Sequence, residues 1–369
     1  MLYRLAEYIN VRLHPPGFDL FRYLTFRSAA AAITALLFCF LIGPKIINVL
    51  KKHQIGEARK EDGPKFHWSK AGTPTMGGFI ILVAVLIAVL CWGDLSNTYM
   101  LIIIFVTVAL GAVGFIDDYL KVVKKYQTGL VAKYKLMGQL FVGLVVGGCI
   151  YFLPEFQSIN SITTIPFLKS VEFDFSFFYI PIVVFIIVAT SNAVNLTDGL
   201  DGLATGTVGI VALTIGIIAY VSGNIETAKY LNIIYLKGNG ELAIYCTALA
   251  GASLGFLWFN SYPAQVFMGD TGSLALGGAI GTLCVLVKKE LLLPLLGGIF
   301  FIETISVLIQ RYYFKYTKKR TGTGKRVFKM APLHHHFEMS GIPEPKIVTR
   351  FYIVAVILAI MALATFKIR

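Results

Sequence analysis

Ten runs of predominantly apolar residues, most near the length that crosses a bilayer, constrain this chain more than any other feature. A spanning helix needs about 20 such residues, because backbone polar groups find no water in hydrocarbon and must pair along the helix. The runs lie near 28–49, 76–92, 99–116, 134–153, 176–194, 203–221, 241–259, 273–287, 291–312 and 350–366, and the eighth is the shortest. Composition agrees: 56% of residues are hydrophobic and 14% charged, with mean hydropathy +0.73. A soluble domain carries about 25% charged residues. The expected fold is all-α and polytopic, one transmembrane domain over 1–369.

Residues 1–27 lack the apolar core of a secretory signal and carry Arg4, Arg12, Arg22 and Arg27. Leu2, Leu5, Tyr8 and Ile9 recur at helical spacing, which predicts an interfacial helix. The net charge of +13 would suggest nucleic acid in a soluble protein. Here loop asymmetry accounts for it. Segments after odd-numbered spans hold 21 Lys and Arg, the opposite face 11, and Lys45 lies within a span. The positive-inside rule then places the odd loops in the cytoplasm and both termini outside. The loop at 311–349 is basic and ends in a histidine tract. Cys39, Cys91, Cys149, Cys246 and Cys284 sit in or beside apolar runs without metal-ligand spacing, so they read as small packing residues. Gly143–Gly147 and Gly251–Gly255 read as close helix contacts within the chain.

The polar motifs fall on the predicted cytoplasmic side. Lys70 and Thr75 precede span two, and Asp117–Asp118 end span three. Two adjacent carboxylates at a hydrocarbon boundary repel each other and lose hydration, which a nearby cation would offset. A water-facing acidic helix end is the plain alternative. Asn192, Asn195, Asp198, Gly199, Leu200 and Asp201 lie between spans five and six. A helical turn would put Asp198 and Asp201 on one face, and the glycines favour a tight turn close to a ligand. Asn260, Phe267 and Asp270 lie between spans seven and eight. Carboxylates together with phosphate oxygens suit Mg²⁺, while the lack of a cysteine cluster disfavours zinc or iron–sulfur chemistry. His334, His335 and His336 could form a metal site, a catalytic site or an accidental tract; adjacent histidines cannot all face one way on a helix. Glu303, within span nine near Gln310, is expected to face the bundle or a polar cavity. Thr321–Arg326 imitates a P-loop, but Lys319 and Arg326 stand where a P-loop needs Gly and Ser or Thr.

Asp117–Asp118, Asn195-Leu-Thr-Asp-Gly-Leu-Asp-Gly202, Phe267-Met-Gly-Asp-Thr-Gly-Ser273 and Pro332-Leu-His-His-His-Phe-Glu338 together resemble the polyprenyl-phosphate N-acetylhexosamine-1-phosphate transferases. The histidine segment favours the branch that transfers phospho-MurNAc-pentapeptide over relatives that transfer GlcNAc-1-phosphate. The resemblance implies an Mg²⁺-dependent reaction in the bacterial inner membrane. UDP-MurNAc-pentapeptide and undecaprenyl phosphate would give lipid I and UMP, in a homodimeric enzyme with a cytoplasmic cleft. It implies metal or catalytic roles for Asp117, Asp118 and Asp270, and a catalytic region at His334–His336. Substrate binding is implied for Lys70, Thr75, Lys121, Lys133, Asn195, Asp198, Gly199, Leu200, Asp201, Asn260, Phe267 and Gln310. A secondary transporter is the rival from another class. It would favour polar groups near mid-bilayer and paired inverted halves, which this sequence lacks.

Overall fold

The computed structural model describes residues 2–13, 17–53, 72–126, 129–168 and 172–366. Lys70 lies outside them. The described residues form helices and one small hairpin. In order these are α1 (Leu2–Leu13), α2 (Leu24–Lys52), α3 (Gly78–Trp92), α4 (Thr98–Val122) and α5 (Ala132–Phe152). An antiparallel hairpin of β1 (Ile162–Thr164) and β2 (Glu172–Asp174) follows. Then come α6 (Tyr179–Thr197), α7 (Leu203–Ser222), α8 (Ile225–Leu231), α9 (Leu242–Asn260) and α10 (Gly269–Leu286). The chain ends with α11 (Leu293–Leu296), α12 (Gly298–Thr321), α13 (Leu333–Glu338) and α14 (Glu344–Ala364).

Each predicted span is met by helix, and among the described residues eight helices are long and apolar enough to cross a membrane. The ninth run is not one rod. It breaks between Leu296 and Gly298 with a bend of 83°. Gly297 and Gly298 stand at the break and weaken helix continuity, while Pro294 lies in the first turn of α11. The shortest span is α3 rather than the eighth. Its 15 residues rise only about 22 Å, less than the hydrocarbon thickness.

The bundle is layered around α10, of which 89% of the spanning window is buried, against 28% for α2. Small residues on α10 let α3, α4 and α6 pack directly on its backbone: a Cβ at Gly277 would meet Ser191 Cα at 2.7 Å. The two sequence-level glycine pairs behave as expected. Gly143 and Gly147 of α5 abut Val184 and Ile180 of α6, while Gly251 and Gly255 of α9 abut Ala32 and Leu36 of α2.

At the end of the bundle beyond the C-terminus of α10, polar side chains fasten the connections. Glu290 accepts from Tyr179 Oη at 2.7 Å and from the Thr163 hydroxyl, and Lys289 Nζ donates to Thr164 Oγ1 at 2.8 Å. These bonds bolt the hairpin to the end of α10. Arg27 forms a two-bond pair with Glu241 at 2.6 and 3.0 Å, tying the start of α2 to the start of α9. The chemistry-bearing motifs gather at the other end.

Candidate active site

Consecutive antiparallel helices bring the C-terminus of α4, the N-terminus of α5, the C-terminus of α6 and the N-terminus of α10 to one end of the bundle. Four polar side chains meet there. Lys121 Nζ donates to Asp117 Oδ2 at 2.8 Å and to Asp270 Oδ2 at 2.7 Å. Lys135 Nζ reaches the same two oxygens at 3.3 and 2.9 Å. The cations expected beside the acidic pair are therefore present. Asp117 Oδ1 accepts the Leu130 N–H at 2.7 Å, and Asp270 Oδ1 accepts from Asn195 Nδ2 at 2.9 Å. Asp117 is 2% exposed, and its partners supply what burial removes.

Asp118 faces elsewhere. Its Oδ1 accepts the Asp270 N–H at 3.1 Å, and its Oδ2 accepts the Thr271 N–H and hydroxyl at 2.8 and 2.7 Å. Those N–H groups open α10 and have no partner within the helix. Asp118 thus fixes where α10 begins, and with it the carboxylate of Asp270. The start of α10 is clamped from a second side. Phe267 N donates to Pro74 O, Gly77 N to Phe267 O and Gly78 N to Met268 O, each at 2.8 Å. Thr75 lies in this paired segment, and its hydroxyl is 2.9 Å from the point a Cβ on Gly269 would occupy. Beneath the cluster, Asn192 Nδ2 donates to Gln139 Oε1, Gln139 Nε2 to Ser191 Oγ, and Ser191 Oγ to Leu274 O. This chain of bonds sets α5 against α6 and α10 one helical turn from Lys135.

The turn after α6 leads from this cluster to the histidine segment. Asp198 caps α6, and Gly202 at φ 82° precedes α7, so Asp198 and Asp201 share a turn rather than one face of a helix. Asp201 is buried; its Oδ2 accepts the Ala264 N–H at 3.0 Å, and its own N–H goes to Glu344 at 2.7 Å. Leu200 packs with Leu203, Ile299 and Phe351. Asn260 is buried between Thr205 Oγ1 and Val266 O. Phe267 is half-buried, and Lys133 is exposed.

The histidines point three ways, as their adjacency on α13 requires. His334 is buried against Glu303, whose carboxylate accepts its backbone N–H at 3.2 Å and lies 3.1 Å from its Nδ1. His335 Nδ1 lies 2.7 Å from Glu338. His336 Nδ1 accepts the Lys329 N–H at 3.1 Å, so in its neutral form it carries its proton on Nε2. Gln310 does not reach the cluster through any described bond. It accepts from Val327 N and Phe328 N and donates to Phe328 O, folding the basic loop against α12.

Residues 100–288 match the family model described as glycosyl transferase family 4. Over the whole chain and the whole relative, the phospho-N-acetylmuramoyl-pentapeptide-transferases of Chloroherpeton thalassium and Salinibacter ruber are 50% and 52% identical. That of Thermodesulfovibrio yellowstonii is 50% identical over all of this chain and 99% of the relative. The chain belongs to the phospho-N-acetylmuramoyl-pentapeptide-transferase family. The resemblance drawn from the four motifs is thereby met along the full length, and the transporter reading falls away.

The donor set of this transferase-family site suits a hard cation shared with phosphate. Asp117 Oδ2 and Asp270 Oδ2 converge on the same two ammonium groups, so they lie close enough to address one cation. Among the described residues, no group of three or more His, Cys, Asp or Glu could hold a metal on its own. Mg²⁺ is commonly held by one or two carboxylates with substrate phosphates completing the shell. Two residues of the site were missed in the sequence. Lys135 lies at the border of an apolar run, where the sequence alone shows it as loop charge. Thr271 stands within the Phe267–Ser273 motif with nothing in the sequence to single it out. The signal for Lys135 was available: an ammonium entering hydrocarbon needs an acidic partner, and Asp117–Asp118 lay nearby in the preceding span.

Proposed function

We propose that this chain transfers phospho-MurNAc-pentapeptide from UDP-MurNAc-pentapeptide to undecaprenyl phosphate at the Asp117–Lys121–Lys135–Asp270 cluster, giving lipid I and UMP. Family membership supports the reaction. The observation that carries the site is the convergence of carboxylates from α4 and α10 on the same two lysines. An oxygen of the lipid phosphate bonds to the sugar-bearing phosphorus of the nucleotide. The bond from that phosphorus to the bridging oxygen breaks, and UMP leaves with the electron pair. The acceptor phosphate is largely dianionic at neutral pH, its second pKa being about 6, so it needs positioning more than a base.

Two anionic phosphates repel, and suppressing that repulsion is the main demand on the protein. Lys121 and Lys135 present ammonium groups to incoming phosphate oxygens. Asp117 and Asp270 would hold Mg²⁺, which when bound supplies the remaining charge neutralisation. Asp118 keeps Asp270 at its post through the start of α10. Asp198, Asp201 and Phe267 line the approach of the nucleoside in this reading, with Phe267 offering an aromatic face. Loop charge supports a cytoplasmic position for this end of the bundle, where a soluble nucleotide sugar meets a membrane-held acceptor.

The test is UMP release by purified protein in detergent with Mg²⁺. Release should require both UDP-MurNAc-pentapeptide and polyprenyl phosphate. No release with both present would sink the proposal, and equal use of UDP-GlcNAc would assign the chain to the sister chemistry.

A further inference from the structure

Glu303 and His334 are both fully buried, and neither touches the carboxylate–lysine cluster through a described bond. Buried ionisable groups inside a membrane bundle need a reason. Glu303 sits five residues into α12, just past the bend, and His334 is the second residue of α13. The carboxylate holds the histidine twice, by its backbone N–H and by its ring. With Nδ1 turned to a carboxylate, Nε2 is the remaining polar atom, and among the described residues it has no hydrogen-bond partner. It faces the backbone of Gly199: a Cβ built there would overlap Nε2 and lie 2.7 Å from Cε1. The ring therefore occupies the space that any side chain at position 199 would fill. Gly199 follows Asp198, the C-cap of α6, and one helical turn earlier Asn195 grips Asp270.

We propose that Glu303 and His334 are a positioning pair. The carboxylate fixes the imidazole, and the imidazole sets the height of the turn at 198–201. Asn195 then meets Asp270 at the right depth, and the bent helix and basic loop are joined mechanically to the reacting site. The imidazole works by its shape and fixed place, without touching substrate. The inference relies on the proposed transferase reaction only for its readout, and UMP release by the unaltered protein tests that reaction separately.

The experiment is a size-exchange cycle with UMP release as the readout, each variant first checked for a monodisperse elution profile in detergent. Gly199→Ala should lose activity because the methyl group meets the ring. Gly199→Ala with His334→Ala should recover at least about tenfold over Gly199→Ala alone, since contacting residues couple strongly. A double variant no more active than Gly199→Ala would overturn the proposal, because the ring would then be needed for its nitrogen. A second comparison does not depend on position 199. His334→Gln, which keeps a side chain of similar reach against Gly199, should exceed His334→Ala in activity, and the reverse order would also overturn the proposal. Glu303→Gln keeps an acceptor for the His334 N–H and should retain far more activity than Glu303→Leu. Equal loss in both would show that the charge, rather than the placement, is what matters.

Discussion

Asp118 offers the sharpest test of the site's construction, because two views of it predict opposite signs. As one of three clustered carboxylates, it would be a source of repulsion, and Asp118→Asn would raise stability while lowering activity. The structure instead gives it three bonds to the start of α10 at 2.7–3.1 Å and leaves it 4% exposed. An Asn fits best with its carbonyl in place of Oδ2, keeping the two Thr271 bonds without their charge. Its NH₂ then faces the Asp270 N–H, donor against donor. The stranded buried N–H costs about 1–3 kcal/mol, and weakening of two charge-assisted bonds adds about 1 kcal/mol. Relief of repulsion returns part of this, leaving a net loss of about 1–3 kcal/mol. At roughly 2 °C per kcal/mol, the apparent melting temperature should fall by about 2–6 °C. Tryptophan fluorescence in detergent at one fixed scan rate measures it, since heat unfolding of such proteins is commonly irreversible. A variant that melts at or above the unaltered protein would refute the assignment of Asp118 to the helix start.

Three further outcomes follow from the same geometry. Lys135→Met leaves one ammonium for two carboxylates and should lower UMP release by about tenfold or more, whereas exposed Lys133→Ala should change it by less than about threefold. Similar losses in the two variants would place Lys133 in the cluster after all. Gly114→Ala on α4 puts a methyl group against the backbone carbonyl of Asp270, and it should destabilise by about 1–3 kcal/mol with loss of turnover. Unchanged melting and activity would show that α4 and α10 tolerate separation. Asp270→Asn removes the carboxylate that both lysines share, and it should nearly abolish turnover and flatten its dependence on added Mg²⁺. Turnover close to that of the unaltered protein would remove Asp270 from the metal role.

The spans were legible in the sequence because hydrocarbon imposes one length and one composition on every segment that crosses it. The break in the ninth run was not, since Pro294 and Gly297–Gly298 lie inside an apolar stretch that any averaging window reads as continuous. The motifs placed Asp117, Asp270 and Asn195 correctly at one end of the bundle. They could not separate Asp117 from Asp118. Adjacent helical residues point about 100° apart, and which of them faces α5 or α10 depends on packing. Lys135 shows the same limit from the other side. Its partner Asp270 is 135 residues away, so only the fold brings them together.

Charge balance explains why the cluster is built with this imbalance. Asp117, Asp118 and Asp270 carry three negative charges against the two positive charges of Lys121 and Lys135. All five side chains are joined, directly or through the start of α10, in one bonded network. With Asp118 committed to the backbone, Asp117 and Asp270 are balanced by the two lysines alone. Bringing in phosphate would draw the lysines outward and leave the carboxylates short of positive charge, which would strengthen their hold on a cation. Bringing in a cation first would free the lysines for phosphate. Each arrival favours the other, so metal and phosphate should bind with positive cooperativity. Calorimetric titration of UMP into the protein with and without Mg²⁺ measures that coupling. Equal affinities under the two conditions would refute the shared-lysine account.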